Sequence, residues 1–233
     1  MLPIAILCGG KGTRIASIAG DLPKALVPVD GTPFIAHQLR WLRAAGATDV
    51  VLLIGYRGDL VRAYAGDGGS FGLRVRYHAD GPLPLGTGGA IKAALHLLGD
   101  AFLTAYGDAI SPVDPAAVGA ALAPADDGVM TVFRNDDRWL PSNVRVAGDR
   151  VCAYAKDAAP GTMTHIDFGI NAFRAAAFDA FPTDRPVDLA DVHRAMIARA
   201  ALRAFPVSDR WYEIGSPEGL AETERFVRQA ARK

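Results

Sequence analysis

Short apolar runs alternate with segments of helical periodicity through the first 135 residues of the chain. Apolar runs bounded by turn residues predict buried strands, and apolar residues spaced three or four apart predict helices. The predicted strands are residues 4–8, 50–54, 73–77, 102–106 and 129–133, and the predicted helices are residues 33–45, 58–64, 88–98 and 115–122. Because strands and helices take turns, the pattern predicts βαβ crossovers and a mostly parallel sheet with helices on both faces.

The pattern becomes mixed from residue 136 onward. A hairpin is predicted around Gly148-Asp149, and a long strand is predicted with Gly169 inside it, where a bulge or a close ligand approach is typical. Pro206 predicts an edge position for its strand. The predicted strands are residues 143–146, 151–154, 166–173 and 202–207, and the predicted helices are residues 188–200 and 217–230. We therefore expect one α/β domain over residues 1–233, with a smaller mixed α+β lobe in residues 136–233.

Composition and charge narrow the class of protein. The 233 residues carry 25 Lys+Arg and 25 Asp+Glu, which argues against a nucleic acid as the main partner. Cys8 and Cys152 form no CxxC motif, which argues against a zinc module and fits a reducing cytoplasm. No run reaches the roughly 18 apolar residues of a membrane span, and the N-terminus does not resemble a signal peptide. We expect a cytoplasmic protein without a membrane partner.

A glycine-rich loop, GGKGTR at residues 9–14, follows the first predicted strand. Such a turn lets backbone N–H groups approach an anion closely. A Walker A loop needs Ser or Thr directly after Gly-Lys, but Lys11 is followed by Gly12. A dinucleotide fingerprint starting at Gly10 needs a third glycine where Ile15 stands. The loop therefore disfavours a P-loop kinase and a dehydrogenase.

The loop, together with Leu22-Pro23-Lys24, resembles the signature of the sugar-1-phosphate nucleotidyltransferases, also called nucleoside-diphosphate-sugar pyrophosphorylases. Further segments occur in that family's order and spacing: PVDGTPF from Pro28, LGTGGA from Leu85, YGD ending at Asp108, Lys156, and WYEIGSP from Trp211. The resemblance spans essentially the whole chain. It implies a Rossmann-like nucleotide-binding fold and an enzyme that joins a nucleoside triphosphate to a sugar 1-phosphate. Residues 1–135 would bind the nucleotide, and residues 136–233 would bind the sugar and complete a metal site.

The resemblance also implies residue roles. The catalytic residues would be Arg14, Lys24 and Asp108, and Mg²⁺ would be held by Asp108 and Glu213. The nucleotide would be bound by Leu7, Gly9, Gly10, Gly12, Thr13, Arg14, Gly86, Thr87 and Gly88. The sugar phosphate would be bound by Lys24, Lys156, Asp167 and Gly169. Gly88 is expected to contact the nucleobase, because a Cβ there would occupy the place of the base.

The chain departs from the family pattern at three positions. Glu213 stands where many relatives carry Asp, which keeps the charge and lengthens the side chain. Ala155 precedes Lys156 where relatives have Glu, so one expected sugar contact is missing. Asp167 stands where Asn is usual. These departures bear on the metal site and on the choice of sugar.

The segment PLGTGGAI and the compact C-terminus most resemble the heptose 1-phosphate guanylyltransferases, which implies GTP and D-glycero-D-manno-heptose 1-phosphate as substrates. The product would be a nucleotide sugar, a precursor of cell-surface polysaccharide. Three alternative activities stay open: an N-acetylmuramate 1-phosphate uridylyltransferase, an enzyme for another sugar 1-phosphate, and a cytidylyltransferase for a phosphorylated non-sugar. The oligomeric state also stays open between a monomer and a homodimer. The absence of hexapeptide repeats argues against the bifunctional acetyltransferase type.

Two rivals come from other classes of protein. A catalytically silent paralogue would bind a nucleotide sugar and regulate a partner, but Arg14, Lys24, Asp108 and Lys156 are all present. A glycosyltransferase of similar topology would be expected to carry a DxD metal motif. Asp108 is followed by Ala-Ile, so that motif is absent at this point of the sequence. The nucleotidyltransferase hypothesis is therefore favoured.

Overall fold

A computed structural model describes residues 1–10, 12, 15, 19–81 and 83–230. The strands are β1 (Ile4–Leu7), β2 (Pro28–Val29), β3 (Thr32–Pro33), β4 (Asp49–Ile54), β5 (Arg74–Ala79), β6 (Ala101–Tyr106), β7 (Ala109–Ile110), β8 (Gly128–Arg134), β9 (Val144–Ala147), β10 (Arg150–Tyr154), β11 (His165–Arg174), β12 (Leu202–Val207) and β13 (Tyr212–Glu213). The helices are α1 (Phe34–Ala44), α2 (Gly58–Ala65), α3 (Gly86–Ala93), α4 (Leu95–Leu98), α5 (Pro115–Ala120), α6 (Leu189–Ala198) and α7 (Pro217–Ala230). Short 3₁₀ helices lie at Lys24–Leu26, Gly69–Phe71 and Ala175–Phe178.

Nine of these strands form one sheet in the order β5-β4-β1-β6-β11-β8-β12-β10-β9, within the described part of the chain. The pairings from β5 to β6 are parallel, as is the pairing of β8 with β12. β11 is antiparallel to both β6 and β8, and β9 and β10 form the predicted hairpin. The predicted α/β architecture is confirmed, with the parallel strands concentrated in the first half of the chain.

Side chains alternate between the two faces of the sheet, because successive residues of a strand point to opposite sides. In β1, Ile4 and Ile6 belong to the core that packs against α1 and α2. Ala5 belongs instead to the core that packs against α3 and α6. The helices therefore cover both faces, as the pattern predicts. Among the described helices, none is long and apolar enough to cross a membrane.

The predicted edge position of the strand that contains Pro206 is wrong. β12 lies between β8 and β10. However, its register with β10 is limited to Arg150 opposite Arg203, while Pro206 pairs only with Val132 of β8. The missing N–H of Pro206 therefore removes no pairing with β10. The predicted helix at residues 88–98 is also divided in the structure, since α3 ends at Ala93 and α4 begins at Leu95.

Candidate active site

The carboxyl ends of β1, β4, β5 and β6 open into a cavity of about 330 Å³. Ligands of parallel α/β sheets bind at this edge, because the loops that follow the strands diverge there. The residues that line the cavity are Leu7, Cys8, Gly9, Gly10, Lys24, Ala25, Leu53, Asp80, Pro84, Gly86, Thr87, Ala90, Tyr106, Gly107 and Asp108. The structure thus brings together most of the residues predicted to bind the nucleotide.

Two residues expected at this site, Thr13 and Arg14, lie outside the described residues. Gly12 is described and has a φ of 65°, a left-handed conformation that favours glycine. A Cβ at Gly12 would lie 3.2 Å from Lys24 Cβ. A glycine at position 12 therefore leaves room for the lysine side chain to pass.

Gly107 makes the turn that carries Asp108 into the cavity. A Cβ at Gly107 would lie 2.6 Å from the carbonyl oxygen of Leu7, so any larger residue would push β6 away from β1. The Gly107 N–H donates to the same carbonyl at 2.9 Å. The turn between β6 and β7 is therefore held closely against the end of β1.

Lys24 and Asp108 form an ion pair at the wall of the cavity. Lys24 Nζ lies 2.5 Å from Asp108 Oδ2, and the side chains are 13% and 36% exposed. Lys24 begins a 3₁₀ helix directly after Pro23, whose backbone is extended. A partly buried ammonium at this position can neutralise a phosphate or a carboxylate. The predicted catalytic lysine and the predicted metal ligand are thus in direct contact.

Glu213 reaches the same region from the far end of the chain. The short strand β13 pairs with β7 so that Glu213 is opposite Ala109, and the Ile214 N–H donates to the Asp108 carbonyl at 2.9 Å. A Cβ at Gly215 would overlap Glu213 Oε2 and lie 3.0 Å from Lys24 Nζ. The Glu213 carboxylate and the Lys24 ammonium therefore border the same glycine.

The Glu213 carboxylate is held in place by its own loop. Oε1 accepts a hydrogen bond from Ser216 Oγ at 2.8 Å, and Oε2 accepts one from the Gly215 N–H. Ser216 Oγ in turn accepts the Gly219 N–H at 3.0 Å, within the first turn of α7. These bonds fix the direction of the Glu213 side chain at the start of α7.

The donor set beside Lys24 suits a hard divalent cation. Asp108, in the turn just before β7, and Glu213, at the end of β13, supply carboxylate oxygens, and Mg²⁺ is typically bound by one or two carboxylates together with phosphate oxygens and water. The described residues contain no group of three His, Cys, Asp or Glu side chains that would form a metal cage without substrate. The residues present therefore fit a cation that is bound together with a polyphosphate.

Lys156, predicted to bind the sugar phosphate, is paired with a residue that the sequence reasoning missed. Its Nζ lies 2.6 Å from Asp188 Oδ2 and 2.8 Å from Oδ1. Asp188 also accepts the Ala190 N–H at 2.9 Å as the N-cap of α6, and accepts Thr87 Oγ1 at 3.3 Å. Burial raises the pKa of Asp188, but the hydrogen bonds from Lys156 and Ala190 outweigh this and hold the pKa below its usual value.

Asp188 therefore links Lys156 to Thr87, which lines the cavity at the start of α3. An aspartate at the beginning of a predicted helix is a recognisable N-cap signal. That signal indicates only a structural role. The contact with Lys156 depends on tertiary packing and has no counterpart in the local sequence.

Asp167 and Gly169 form the bulge that the sequence predicts in β11, where the register with β8 shifts between Asp167 and Asn171. Asp167 Oδ1 accepts the Gly169 N–H and Asn171 Nδ2, both at 3.0 Å, and Oδ2 accepts the Tyr106 hydroxyl at 3.0 Å. Burial of that hydroxyl raises the pKa of Tyr106. A Cβ at Gly169 would lie 2.9 Å from Tyr106 Cδ2. The close neighbour of Gly169 is therefore the Tyr106 ring, and sugar binding by Asp167 and Gly169 stays a prediction.

The structure shows that a side chain at position 88 would meet neighbouring protein atoms, whereas the sequence predicted that it would meet the nucleobase. A Cβ at Gly88 would lie 3.0 Å from Val187 Cγ1 and 3.2 Å from the Asp188 carbonyl carbon. The space next to this glycine is thus filled by the segment that leads into α6, and it is not left open for a nucleobase. A contact between the Gly88 backbone and the base stays a prediction.

Asp80 is a second carboxylate that the sequence reasoning missed. It follows β5, lines the cavity, and donates its own N–H to the Ile54 carbonyl at 2.9 Å. Burial raises the pKa of Asp80, while the nearby His78 and a hydrogen bond from the Leu85 N–H lower it in part. The cavity therefore contains two carboxyl groups, Asp108 beside Lys24 and Asp80 beside the start of α3.

Comparison with known proteins identifies the family and several relatives of this chain. The family described as MobA-like NTP transferase domain matches residues 4–204. The mannose-1-phosphate guanylyltransferase of Mycobacterium tuberculosis is 31% identical over 232 residues, which cover 97% of this chain and 63% of that protein. The D-glycero-alpha-D-manno-heptose 1-phosphate guanylyltransferase of Campylobacter jejuni is 35% identical over 109 residues, which cover 47% of this chain and 48% of that protein.

The chain thus spans less than two thirds of the length of these relatives. Among solved structures, HddC from Yersinia pseudotuberculosis superposes with a TM-score of 0.84 at 22% identity, covering 97% of this chain and 100% of that one. This similarity shows that the two chains share a Rossmann-like α/β fold.

Proposed function

Because the chain belongs to the MobA-like NTP transferase family, we propose that it is a sugar-1-phosphate nucleotidyltransferase. It condenses a nucleoside triphosphate with a sugar 1-phosphate to give a nucleoside-diphosphate sugar and pyrophosphate. The observation that carries the proposal is the Lys24–Asp108 pair in the cavity at the carboxyl ends of β1 and β6. The transfer of a charged phosphoryl group requires positive charge and a metal-binding carboxylate close to the phosphates, and this pair can provide both.

In the proposed reaction, an oxygen of the sugar phosphate attacks the α-phosphorus of the triphosphate. A new P–O bond forms, the bond from the α-phosphorus to the bridging oxygen breaks, and the electron pair leaves with pyrophosphate. No proton has to move, because the attacking phosphate is already an anion. The enzyme therefore acts by positioning two anions in line and reducing their repulsion.

The charged residues of the site have different roles in the proposed reaction. Lys24 contacts the phosphates of the nucleotide, and Lys156 exchanges Asp188 for the phosphate of the sugar. Arg14 adds a further positive charge from the glycine-rich loop. Enzymes of this family generally use a divalent metal, and Asp108 and Glu213 would hold Mg²⁺ here. When bound, Mg²⁺ would supply Lewis-acid stabilisation of the negative charge on the triphosphate.

The Asp80 carboxyl supports GTP as the nucleotide. Guanine presents an N–H and an amino group side by side, and a carboxylate can accept both hydrogen bonds at once. Uracil presents a single N–H between two carbonyl oxygens, which a carboxylate repels. The relatives from M. tuberculosis and C. jejuni are both guanylyltransferases by name, in agreement with this choice.

The same two names support a sugar of the manno configuration. One relative is named for mannose 1-phosphate and the other for a D-manno-heptose 1-phosphate. We take D-glycero-D-manno-heptose 1-phosphate as the substrate of this chain. Residues 1–135 bind the nucleotide and residues 136–233 complete the sugar and metal sites, in a cytoplasmic monomer or homodimer. The balanced charge supports a partner set of small molecules, without nucleic acid.

A substrate matrix tests the proposal. Four nucleoside triphosphates are combined with a panel of sugar 1-phosphates, and pyrophosphate release is measured with Asp108→Asn as the inactive control. The expected result is selective turnover of GTP with a manno-configured sugar 1-phosphate. Turnover of UTP with N-acetylmuramate 1-phosphate, or of CTP with a phosphorylated non-sugar, would reassign the substrates. Nucleotide-sugar binding without any turnover would indicate a regulatory paralogue instead.

A further inference from the structure

Gln38 of α1 is a buried polar residue, 1% exposed, that contacts the turn carrying Asp108. Its Nε2 donates to the carbonyl oxygen of Tyr106 at 2.8 Å and to that of Ala109 at 2.9 Å. These two carbonyls lie immediately before and immediately after Gly107-Asp108. One side chain therefore joins both ends of the turn.

The contacts fix the orientation of the Gln38 amide. Both neighbours are hydrogen-bond acceptors, so the NH₂ group must face them, and its two hydrogens match the two carbonyls. Oε1 is buried and has no hydrogen-bond partner among the atoms of the described residues. The Gln38 amide therefore satisfies two carbonyls of the turn and leaves its own oxygen unpaired. Because buried polar groups are normally paired, this arrangement indicates a specific interaction with the turn and not simple packing.

The turn has further supports, but they act on other atoms. The Gly107 N–H donates to Leu7, and the Asp108 carbonyl accepts from Ile214. Gln38 completes this set by holding the two flanking carbonyls. We propose that Gln38 is a positioning residue, which aligns the Asp108 carboxylate with Lys24 and with the metal–triphosphate complex. This inference rests on the proposed function, in which Asp108 binds the metal that accompanies the triphosphate.

Two substitutions of similar size separate positioning from packing. Gln38→Leu fills the same space but leaves both carbonyls without this donor. Gln38→Glu keeps the shape of the side chain but places a carboxylate against two carbonyl oxygens. If Gln38 only filled space, Gln38→Leu would bind Mn²⁺–GTP like wild type. If it positions the turn, both are impaired at neutral pH, and Glu is worse than Leu.

Mn²⁺ is the probe for the test, because its electron paramagnetic resonance signal reports binding without turnover. The protein is titrated with Mn²⁺ in the presence of GTP, and kcat and KM are measured in parallel. We expect Gln38→Leu to weaken Mn²⁺–GTP binding by about tenfold or more, as is usual when a residue that orients a metal ligand is lost. Gln38→Glu is expected to weaken it further.

Leu42→Ala is the matched control. Leu42 lies one turn further along α1, is fully buried in the core, and has an apolar side chain that cannot form a hydrogen bond to the turn at Asp108. Its truncation lowers stability and should leave Mn²⁺–GTP binding unchanged. Equal losses in Leu42→Ala and Gln38→Leu would overturn the positioning role. Wild-type binding in Gln38→Leu would overturn it too, whereas absence of Mn²⁺–GTP binding by wild type would overturn the proposed function itself.

Discussion

Lys24 Nζ lies 2.5 Å from Asp108 Oδ2, so the ammonium proposed to contact phosphate already has a carboxylate partner. A divalent cation bound to Asp108 would take over that carboxylate. Lys24 would then be released toward the phosphates that arrive with the cation. The pair would therefore link metal binding to nucleotide binding, and we expect removal of either residue to affect both.

Asp108→Asn is expected to lower turnover by roughly a hundredfold or more, because a charged metal ligand is replaced by a neutral one. Excess chelator is expected to abolish the wild-type activity. Pyrophosphate release with and without added Mg²⁺ measures both effects. Asp184→Asn, a change at an exposed aspartate, is the control and should keep wild-type turnover. Full wild-type rates in excess chelator would contradict the metal requirement.

Lys156→Ala is expected to raise the KM for the sugar 1-phosphate by roughly tenfold to a hundredfold, since a hydrogen bond to a charged group is worth about 1.5–3 kcal/mol. The KM for the triphosphate should change much less, while Lys24→Ala should impair use of the triphosphate. Initial rates with each substrate varied in turn provide the comparison. Arg225→Ala, at an exposed position on α7, serves as the control. Equal effects of Lys156→Ala on both KM values would remove its assignment to the sugar phosphate.

Glu213→Gln is expected to lose most activity, because the charge is lost and an amide NH₂ cannot accept the hydrogen bond that one carboxylate oxygen accepts now. Glu213→Asp is also expected to be impaired, because the carboxylate is about one methylene shorter and no longer reaches both the Gly215 N–H and Ser216 Oγ. Ser216→Ala, which removes one of these donors, should have a smaller effect. Near-normal kcat in both Glu213 variants would show that Glu213 is not a metal ligand.

Asp80→Asn is expected to lower kcat/KM for GTP by roughly tenfold to a hundredfold, because an amide cannot accept both hydrogen bonds from guanine as a carboxylate does. The preference for GTP over UTP should fall by a similar factor. Competition assays with the two triphosphates measure that preference directly. Asp59→Asn changes an exposed aspartate of α2 and controls for charge alone. An unchanged preference in Asp80→Asn would place base recognition elsewhere in the cavity.

His193 is expected to make the protein less stable in mild acid. It is fully buried in α6, stacks on Phe173 with ring centroids 5.7 Å apart, and has no hydrogen-bond partner for either ring nitrogen among the described atoms. Burial lowers the pKa of His193 from 6.5 to about 4. As the pH falls below 6.5 the unfolded chain takes up this proton first, so stability decreases between pH 6.5 and about 4.

The shift corresponds to roughly 3 kcal/mol of unfolding free energy once the pH is below both pKa values. His193→Phe removes the titrating group and should flatten this part of the pH dependence. Urea unfolding of both proteins at several pH values between 7 and 4 tests the prediction. A stability curve of His193→Phe that keeps the wild-type slope over this interval would assign the acid sensitivity to other groups.

The sequence pattern predicted the parallel half of the fold because each of those elements shows its own period within a few residues. β7 and β13 have two residues each and show no periodicity, although their pairing brings Glu213 next to Asp108. The family resemblance predicted that both carboxylates bind a metal, but it could not show that Lys24 already contacts Asp108. The position of a residue in a family motif predicts its role, whereas the contacts of its side chain depend on how distant elements pack.

Asp80, Asp188 and Gln38 went unrecognised for the same physical reason. A single carboxylate or amide side chain forms no recognisable sequence pattern. Its partners come from other elements of the fold, as Lys156 does for Asp188. The edge position predicted from Pro206 was wrong because the prediction was applied to the whole of β12. Backbone pairing differs from residue to residue along a strand, and Pro206 itself is not paired with β10. Local rules therefore predicted the elements and some turns, and they left the side-chain network of the site undetermined.

The position of β8 between β11 and β12 also orders the events of biosynthesis. β8 leaves the ribosome before either of its neighbours has been made, so both of its edges are open until β11 is translated and one stays open until β12 is translated. The apolar strand is then available to aggregation or to a chaperone. Glu213 follows β12 in the chain, so all nine strands of the sheet are translated before the second proposed metal ligand. A chain that stops short of Glu213 would therefore lack one of the two proposed metal ligands.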